Sequence, residues 1–178
     1  MMGTLIRPTN ELTDADRRAV IDVCIAAHNS QDFENLFSYF AVGRHVLGYA
    51  GSELVSHAVV TTRWAQPDGR PPLRTAFVDA VSTHPAHQHR GHGSATMRAL
   101  GEAIADYDIG CLQTDLRGFY EPLGWELWRG PLSGRKPDGS LVPTPDQQGV
   151  MVLRTPRTPS LDLDTGLSIE VQPARIWE

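Results

Sequence analysis

The sequence is poor in several things at once, and each shortage excludes a class of protein. Of its 178 residues only two are cysteine. Cys24 and Cys111 show no metal-ligand spacing and are expected to fill core positions as small apolar groups. No apolar run approaches the roughly 18 residues that span a bilayer, so no membrane partner is expected. The N-terminal Met1-Met2-Gly3-Thr4-Leu5-Ile6-Arg7 lacks the apolar core of a signal peptide, and a cytoplasmic protein is the expectation. Basic excess is missing too: the net charge is −5 and the sequence pI near 5.8. That argues against a nucleic-acid partner, which wants a basic face, and suits a small cationic substrate. There is no internal repeat and no sign of a second domain, so a single domain over 1–178 is expected, long enough for a real core.

What the chain does have is concentrated in Val81–Ser94, VSTHPAHQHRGHGS. A β-rich run, Thr75 to Thr83, is stopped by His84-Pro85, because the residue before proline is pushed out of helical geometry. Gln88-His89-Arg90-Gly91-His92-Gly93 follows, and Ser94 opens an amphipathic run. Strand, glycine-bearing turn and helix N-terminus aim several N–H groups at one point, where the helix dipole favours negative charge. This is a site built for phosphate. It is neither the Rossmann G-x-G-x-x-G, lacking a third glycine, nor a P-loop, lacking Lys-Ser/Thr.

Around it, Leu5-Ile6-Arg7 reads as a first strand ended by Pro8. Thr13-Asp14-Ala15-Asp16 caps an amphipathic helix running to His28, with Val20, Val23, Cys24 and Ala27 on one face. A shorter helix is expected over Phe33–Phe40. His45–Ala50 and Leu54–Trp64 form a hairpin at Gly51-Ser52, and Ala65–Pro72 is a loop by composition. Arg74–Thr83 is a strand and Ser94–Tyr107 a helix. Gly110–Thr114 is a strand, Leu116–Leu123 a helical turn stopped by Gly124, and Trp125–Trp128 a strand. Pro131–Gly149 reads as a long irregular excursion, Val150–Leu153 as a strand, Thr155–Asp164 as a loop and Leu167–Trp177 as one more strand. The order gives an α/β (α+β) layer architecture, a mixed and mostly antiparallel central sheet with helices on both faces.

The Q-x-x-G-x-G spacing from Gln88 to Gly93 resembles the pyrophosphate loop of the GCN5-related N-acetyltransferases (GNATs), and the element order is similar to theirs. Within them the chain resembles the aminoglycoside 2'-N-acetyltransferases. Gln31-Asp32-Phe33 resembles their Gly-Asp-Phe segment, where the aspartate contacts substrate. Gly43-Arg44-His45 resembles their Gly-Met-His turn. Phe77-Val78-Asp79-Ala80-Val81 resembles Tyr-Val-Glu-Gly-Val, whose carboxylate helps activate the amine. Tyr120 to Gly130 is similar to Tyr-x-x-x-Gly-Trp-x-x-Trp-x-Gly. The tail from Glu170 to Glu178 keeps a tryptophan but none of that group's aspartates, and the family's glutamate is a shorter Asp79. The altered acceptor half points to a variant aminoglycoside such as kasugamycin.

The resemblance implies acetyl-CoA as cosubstrate and no metal. Val81, Ser82 and Thr83, then Gln88, His89, Arg90, Gly91, His92, Gly93 and Ser94, with Tyr120, are the expected coenzyme contacts. Val81 offers its N–H to the acetyl carbonyl, Asp79 orients the amine or acts through water, and Tyr120 returns a proton to the leaving thiolate. Asp32, Phe33, Asp79, Thr114, Trp177 and Glu178 are the expected acceptor contacts. Trp125 and Trp128 are expected in the core. His84, His87, His89 and His92 are expected to be solvated or near the phosphates, and not a metal site. Related enzymes are often dimers, so a homodimer is expected. Two alternatives stand beside this reading: a GNAT acting on another small amine or a peptide, and a non-catalytic acyl-CoA-binding module.

Overall fold

Thr13 accepts the N–H of Asp16 on its hydroxyl at 3.1 Å, and Asp16 returns the favour to the Thr13 N–H at 3.0 Å. This capping box starts helix α1, Asp14–His28, as its sequence pattern predicts. The structure is a computed structural model that describes residues 2–173 and 175–177. Contacts group the chain into two compact units, Met1–Thr61 with Val78–Ala103, and Thr62–Phe77 with Ile104–Glu178.

In the first unit, strand β1 (Met2–Pro8) precedes α1, and a short helix α2 (Leu36–Tyr39) follows it. Strands β2 (Arg44–Ala50), β3 (Glu53–Pro67) and β4 (Leu73–Thr83) come next, the last two shared in sequence between the units. Helix α3 is His92–Ala103. β1 pairs antiparallel with β2, Met2 opposite Ala50 and Pro8 opposite Arg44, and β2 pairs antiparallel with β3 through a bulge at Gly48/Tyr49.

Neighbouring residues of a strand face opposite ways, and β2 uses this to hold a helix on each side. Leu47 joins Val20, Val23 and Cys24 of α1 in one core. Gly48 turns to α3, where a Cβ would stand 2.5 Å from Thr96 Oγ1, so only glycine lets the helix come this close. The expected helix over Phe33–Phe40 is shorter: a 3-10 turn, Gln31–Asn35, comes first, and α2 is a single turn.

The second unit contains β5 (Ile109–Gln113), α4 (Arg117–Tyr120), β6 (Glu126–Leu127), β7 (Leu132–Arg135), β8 (Leu141–Pro143), β9 (Val150–Arg154) and β10 (Leu167–Glu170). β4 pairs parallel with β5, Thr75 opposite Ile109, and β9 lies antiparallel to both β5 and β6. β10 pairs antiparallel with the end of β3 and parallel with β7, which pairs antiparallel with β8. The sheet is therefore mixed and mostly antiparallel, and the class is α/β. The core gathers Phe77, Cys111, Trp128, Val152, Ile169 and Trp177.

Four further expectations need correction. The tail strand expected over Leu167–Trp177 stops at Glu170, after which the chain turns through Gln172 and Arg175. Ala65–Pro67 is strand, because β10 pairs with it; the composition of 65–72 conceals this. The excursion Pro131–Gly149 carries β7 and β8, joined by a turn at Gly139 with φ +84°. Their short, glycine-broken runs give no period-2 signal. Helix α3 ends at Ala103, and a turn follows in which the Tyr107 N–H bonds the Ile104 carbonyl at 2.9 Å.

Candidate active site

Strand β4 changes character at Ala80, whose φ is +48°. That left-handed conformation costs a residue with a Cβ of order 1–2 kcal/mol, so surrounding contacts must hold it. They converge on the Ala80 carbonyl. His57 Nδ1 lies 3.0 Å from it, Ser82 Oγ donates at 3.2 Å, and Cys24 Sγ stands 4.0 Å away. One residue on, the Val81 carbonyl lies 3.2 Å from His28 Nε2, which is also 3.0 Å from Ser82 Oγ. The strand end at Val81, Ser82 and Thr83 is thus fastened from α1 and β3, with Ser56 Oγ donating to the Ser82 carbonyl at 3.0 Å.

The chain then folds into the loop. The His84 N–H bonds the Val55 carbonyl at 2.8 Å, and Pro85–His87 makes one 3-10 turn. Gln88 folds back, its Nε2 donating to the Thr83 carbonyl at 3.1 Å, which ties the loop to the strand. His89 and Gly91 both take positive φ, +59° and +84°. Alternation of this kind turns consecutive N–H groups toward one concavity, a nest for anions. α3 begins directly afterwards at His92, its first turn carrying Gly93 and Ser94. The first N–H groups of a helix have no partner inside it.

His92 itself is buried at 8% exposure, and its Nδ1 is buried without a hydrogen-bond partner. An orphaned ring nitrogen at the head of α3 fits a phosphate-bearing ligand, to which it would donate when carrying the proton. Of the two expectations for the loop histidines, solvated or near the phosphates, full solvation suits His89 and not His92. His92 packs edge-on to His87 at 5.7 Å, His87 edge-on to His84 at 6.0 Å, and only His89 is exposed. Among the described residues no group of three or more His, Cys, Asp or Glu side chains is arranged to hold a metal.

Of the acceptor residues, Asp79 is half-buried on β4, two positions before Val81. Asp32 is exposed and accepts from Ser30 Oγ at 3.0 Å. Phe33 stacks on His28, ring centroids 4.8 Å apart. His28 therefore links the Asp32-Phe33 segment to the end of β4. Sequence reasoning missed His28 and His57 as parts of this site. The available signals were His28 standing four residues after Cys24 on the apolar face of α1, and His57 lying within the largely apolar run Leu54–Val60 of β3.

The second unit holds Tyr120, Thr114 and Trp177. Tyr120 is buried, edge-on to Phe119 at 4.9 Å and to Trp125 at 6.1 Å, and burial pushes its phenol up to about 12. Thr114 Oγ1 accepts the Leu116 N–H at 2.9 Å. Trp125 and Trp128 are core residues, as expected. Trp177 is buried as well, its indole N–H on Thr144 Oγ1 at 3.2 Å, and it borders a cavity of about 470 Å³ with Gln147, Gln172 and Arg175. Glu178 lies outside the described residues. Cys24 and Cys111 are buried thiols outside any disulfide, and burial pushes the Cys24 thiol up to about 11.

The fastened end of β4, a nest and a helix N-terminus follow one another along the chain, an arrangement suited to an anionic ligand. A sequence profile of the acetyltransferase (GNAT) family matches residues 10–125, and the chain belongs to that family. Solved structures share the fold. A GCN5-related N-acetyltransferase from Kribbella flavida superposes with a TM-score of 0.60 at 21% identity, over 73% of this chain and 34% of its own. Eis1 from Mycobacterium abscessus gives 0.60 at 20%, over 74% and 33%. The ribosomal-protein-S18-alanine N-acetyltransferase from Escherichia coli gives 0.57 at 15%, over 90% and 97%. The chain thus spans about a third of the length of the first two. Among the described residues no helix is long and apolar enough to cross a membrane.

Proposed function

We propose that this acetyltransferase moves the acetyl group of acetyl-CoA to the 2'-amine of an aminoglycoside, kasugamycin or a relative of it, and so confers antibiotic resistance. The observation that carries the coenzyme half is the continuous run from the fastened end of β4 through the nest to the buried, unpartnered His92 Nδ1. Residues Gln88 to Ser94 hold the pyrophosphate, with Arg90 as a cation, and Ser82 and Thr83 border the pantetheine. Acetyl-CoA supplies an activated thioester. The Val81 N–H polarises its carbonyl.

The acceptor amine attacks that carbon directly in a ternary complex, so that a C–N bond forms and the C–S bond breaks. Asp79 orients the amine, whose proton leaves to it through water. Tyr120, with its phenol pushed up to about 12, stays protonated at neutral pH and gives a proton to the departing thiolate. Asp32, Phe33, Thr114, Trp177 and Glu178 complete the acceptor side, and the working form is a cytoplasmic homodimer. The net charge of −5 and the exposed carboxylate of Asp32 support a polycationic acceptor.

A second reading, transfer to another small amine or a peptide, is favoured by the tail, where Glu170 to Trp177 contains no aspartate. The test is the product: kasugamycin incubated with enzyme and acetyl-CoA, then located by NMR. Acetylation at the 2'-nitrogen is expected. Acetylation of spermidine or a peptide amine, with kasugamycin untouched, supports the second reading. Tight coenzyme binding with no product from any amine indicates an acyl-CoA-binding module.

A further inference from the structure

Three buried side chains form a file inside the first unit. Thr9 Oγ1 lies 3.0 Å from His45 Nε2, His45 Nδ1 lies 2.9 Å from His57 Nε2, and His57 Nδ1 lies 3.0 Å from the Ala80 carbonyl. Thr9 is 4% exposed and both histidines 0%. A neutral imidazole has one donor nitrogen and one acceptor, and a carbonyl only accepts. Cys24 Sγ also stands near His57 Nδ1, at 3.6 Å, but the Ala80 oxygen is nearer at 3.0 Å, and it sets the direction of the file. His57 carries its proton on Nδ1 and donates to Ala80; His57 Nε2 accepts from His45 Nδ1; His45 Nε2 accepts from the Thr9 hydroxyl. The Thr9 hydroxyl also has the carbonyls of Phe40 and Gly43 at 3.2 Å, so its contact to His45 is the shortest of three. The opposite orientation would set the lone pair of His57 Nδ1 against the Ala80 oxygen.

Burial, with the nearby charge of Arg17, pushes His45 down to about 4; burial and the neighbouring His45 push His57 down to about 3. The file is thus neutral at physiological pH. Its terminus is not an ordinary peptide. The C=O of Ala80 and the N–H of Val81 belong to one planar trans unit and point in opposite directions. A donor on the Ala80 oxygen both fixes that plane, at a residue whose φ is +48°, and polarises the N–H at its other end.

We propose that His57 is a positioning residue for acyl transfer. Through its Nδ1–H on the Ala80 carbonyl it aims and strengthens the Val81 N–H, while His45 and Thr9 hold it in the required tautomer. This rests on the reading of Val81 as the donor to the acetyl carbonyl. Ser82 Oγ and Cys24 Sγ, on the same oxygen, assist at longer range.

The two amide replacements of histidine separate its two nitrogens. His57→Asn keeps a donor near Nδ1 and loses the link to His45; His57→Gln keeps a group near Nε2 and loses the donor to Ala80. His57→Gln is expected to lower kcat by about 5- to 30-fold with the KM for acetyl-CoA within twofold, less than the roughly 100-fold or more lost with an oxyanion donor itself. His57→Asn is expected to retain most of the activity. Isotope-edited infrared spectra of bound acetyl-CoA should show the thioester carbonyl band displaced toward its free position in His57→Gln and not in His57→Asn. Equal losses in both variants with an unmoved band overturn the assignment. Ring ¹⁵N spectra of the wild type test it without any variant: protonation on Nε2 of His57 overturns it, protonation on Nδ1 supports it. A wild type that does not bind acetyl-CoA defeats the acyl-transfer reading and the role of His57 with it, whatever the tautomer.

Discussion

Phe33 lies almost flat on His28, their rings 4.8 Å apart and inclined by 24°, while the far nitrogen of His28 lies 3.2 Å from the Val81 carbonyl. One side chain thereby connects the segment proposed to meet the acceptor with the strand proposed to hold the acetyl group. Replacing His28 with alanine should loosen Asp32-Phe33 far more than the loop at Gln88–Ser94. The expected result is a KM for the acceptor raised by about 3- to 10-fold, corresponding to roughly 1 kcal/mol of lost contact. The dissociation constant for coenzyme A, measured by calorimetry, should stay within about twofold.

Gly91 has φ +84° inside the anion nest, where a Cβ meets nothing closer than Met2 Cε at 3.9 Å. The objection to a side chain there is conformational, not spatial. Gly91→Ala should cost of order 1–2 kcal/mol in the loop geometry and weaken coenzyme A binding by about tenfold. Thermal stability should change little, since the loop carries little of the core. Calorimetric titration beside a melting curve checks both halves.

Gly48 poses the opposite case. A Cβ there would meet Thr96 Oγ1 at 2.5 Å and Ser56 Cβ at 3.0 Å, so the objection is spatial. Gly48→Ala should destabilise by about 1–3 kcal/mol through overpacking. Adding Thr96→Ala, which removes the nearer obstacle, should recover part of that loss. Urea midpoints of the two single variants and the double variant measure the coupling.

The buried histidines predict how stability follows pH. In the unfolded chain each has a pKa near 6.5, and in the folded protein they lie at about 4 and about 3. Below about pH 6.5 the unfolded state therefore binds more protons, and the stability these groups permit is full above that pH and lost as pH falls. The slope is about 1.4 kcal/mol per pH unit for each histidine. Between pH 7 and pH 5 a loss of roughly 2–4 kcal/mol is expected. His45→Asn should show about half the loss, and urea denaturation at the two pH values reads it directly.

Much of this molecule is legible in its sequence, for identifiable reasons. Thr13 and Asp16 announce α1 because a capping box is local, and Gly124, with φ +90°, stops the helical turn before it for the same reason. Gln88, Gly91 and Gly93 announce the anion loop because glycine positions fix backbone shape. β7 and β8 escape notice because Leu132-Ser133-Gly134-Arg135 is strand through its partner β10, over 30 residues away in sequence. The tie from His57 to Ala80 escapes for a related reason. It depends on two strands meeting, and on a positive φ at an alanine, which no local pattern encodes.

In the proposed mechanism the end of β4 and the loop after it hold and activate acetyl-CoA for attack by an aminoglycoside amine. Thiol release from acetyl-CoA, followed with kasugamycin, gentamicin, tobramycin and spermidine in turn, tests it most directly. Release is expected to depend on an aminoglycoside, kasugamycin above the others, and to fall by about 10²-fold or more in Tyr120→Phe. Release with none of the four while coenzyme A binds, or full activity in Tyr120→Phe, would contradict it.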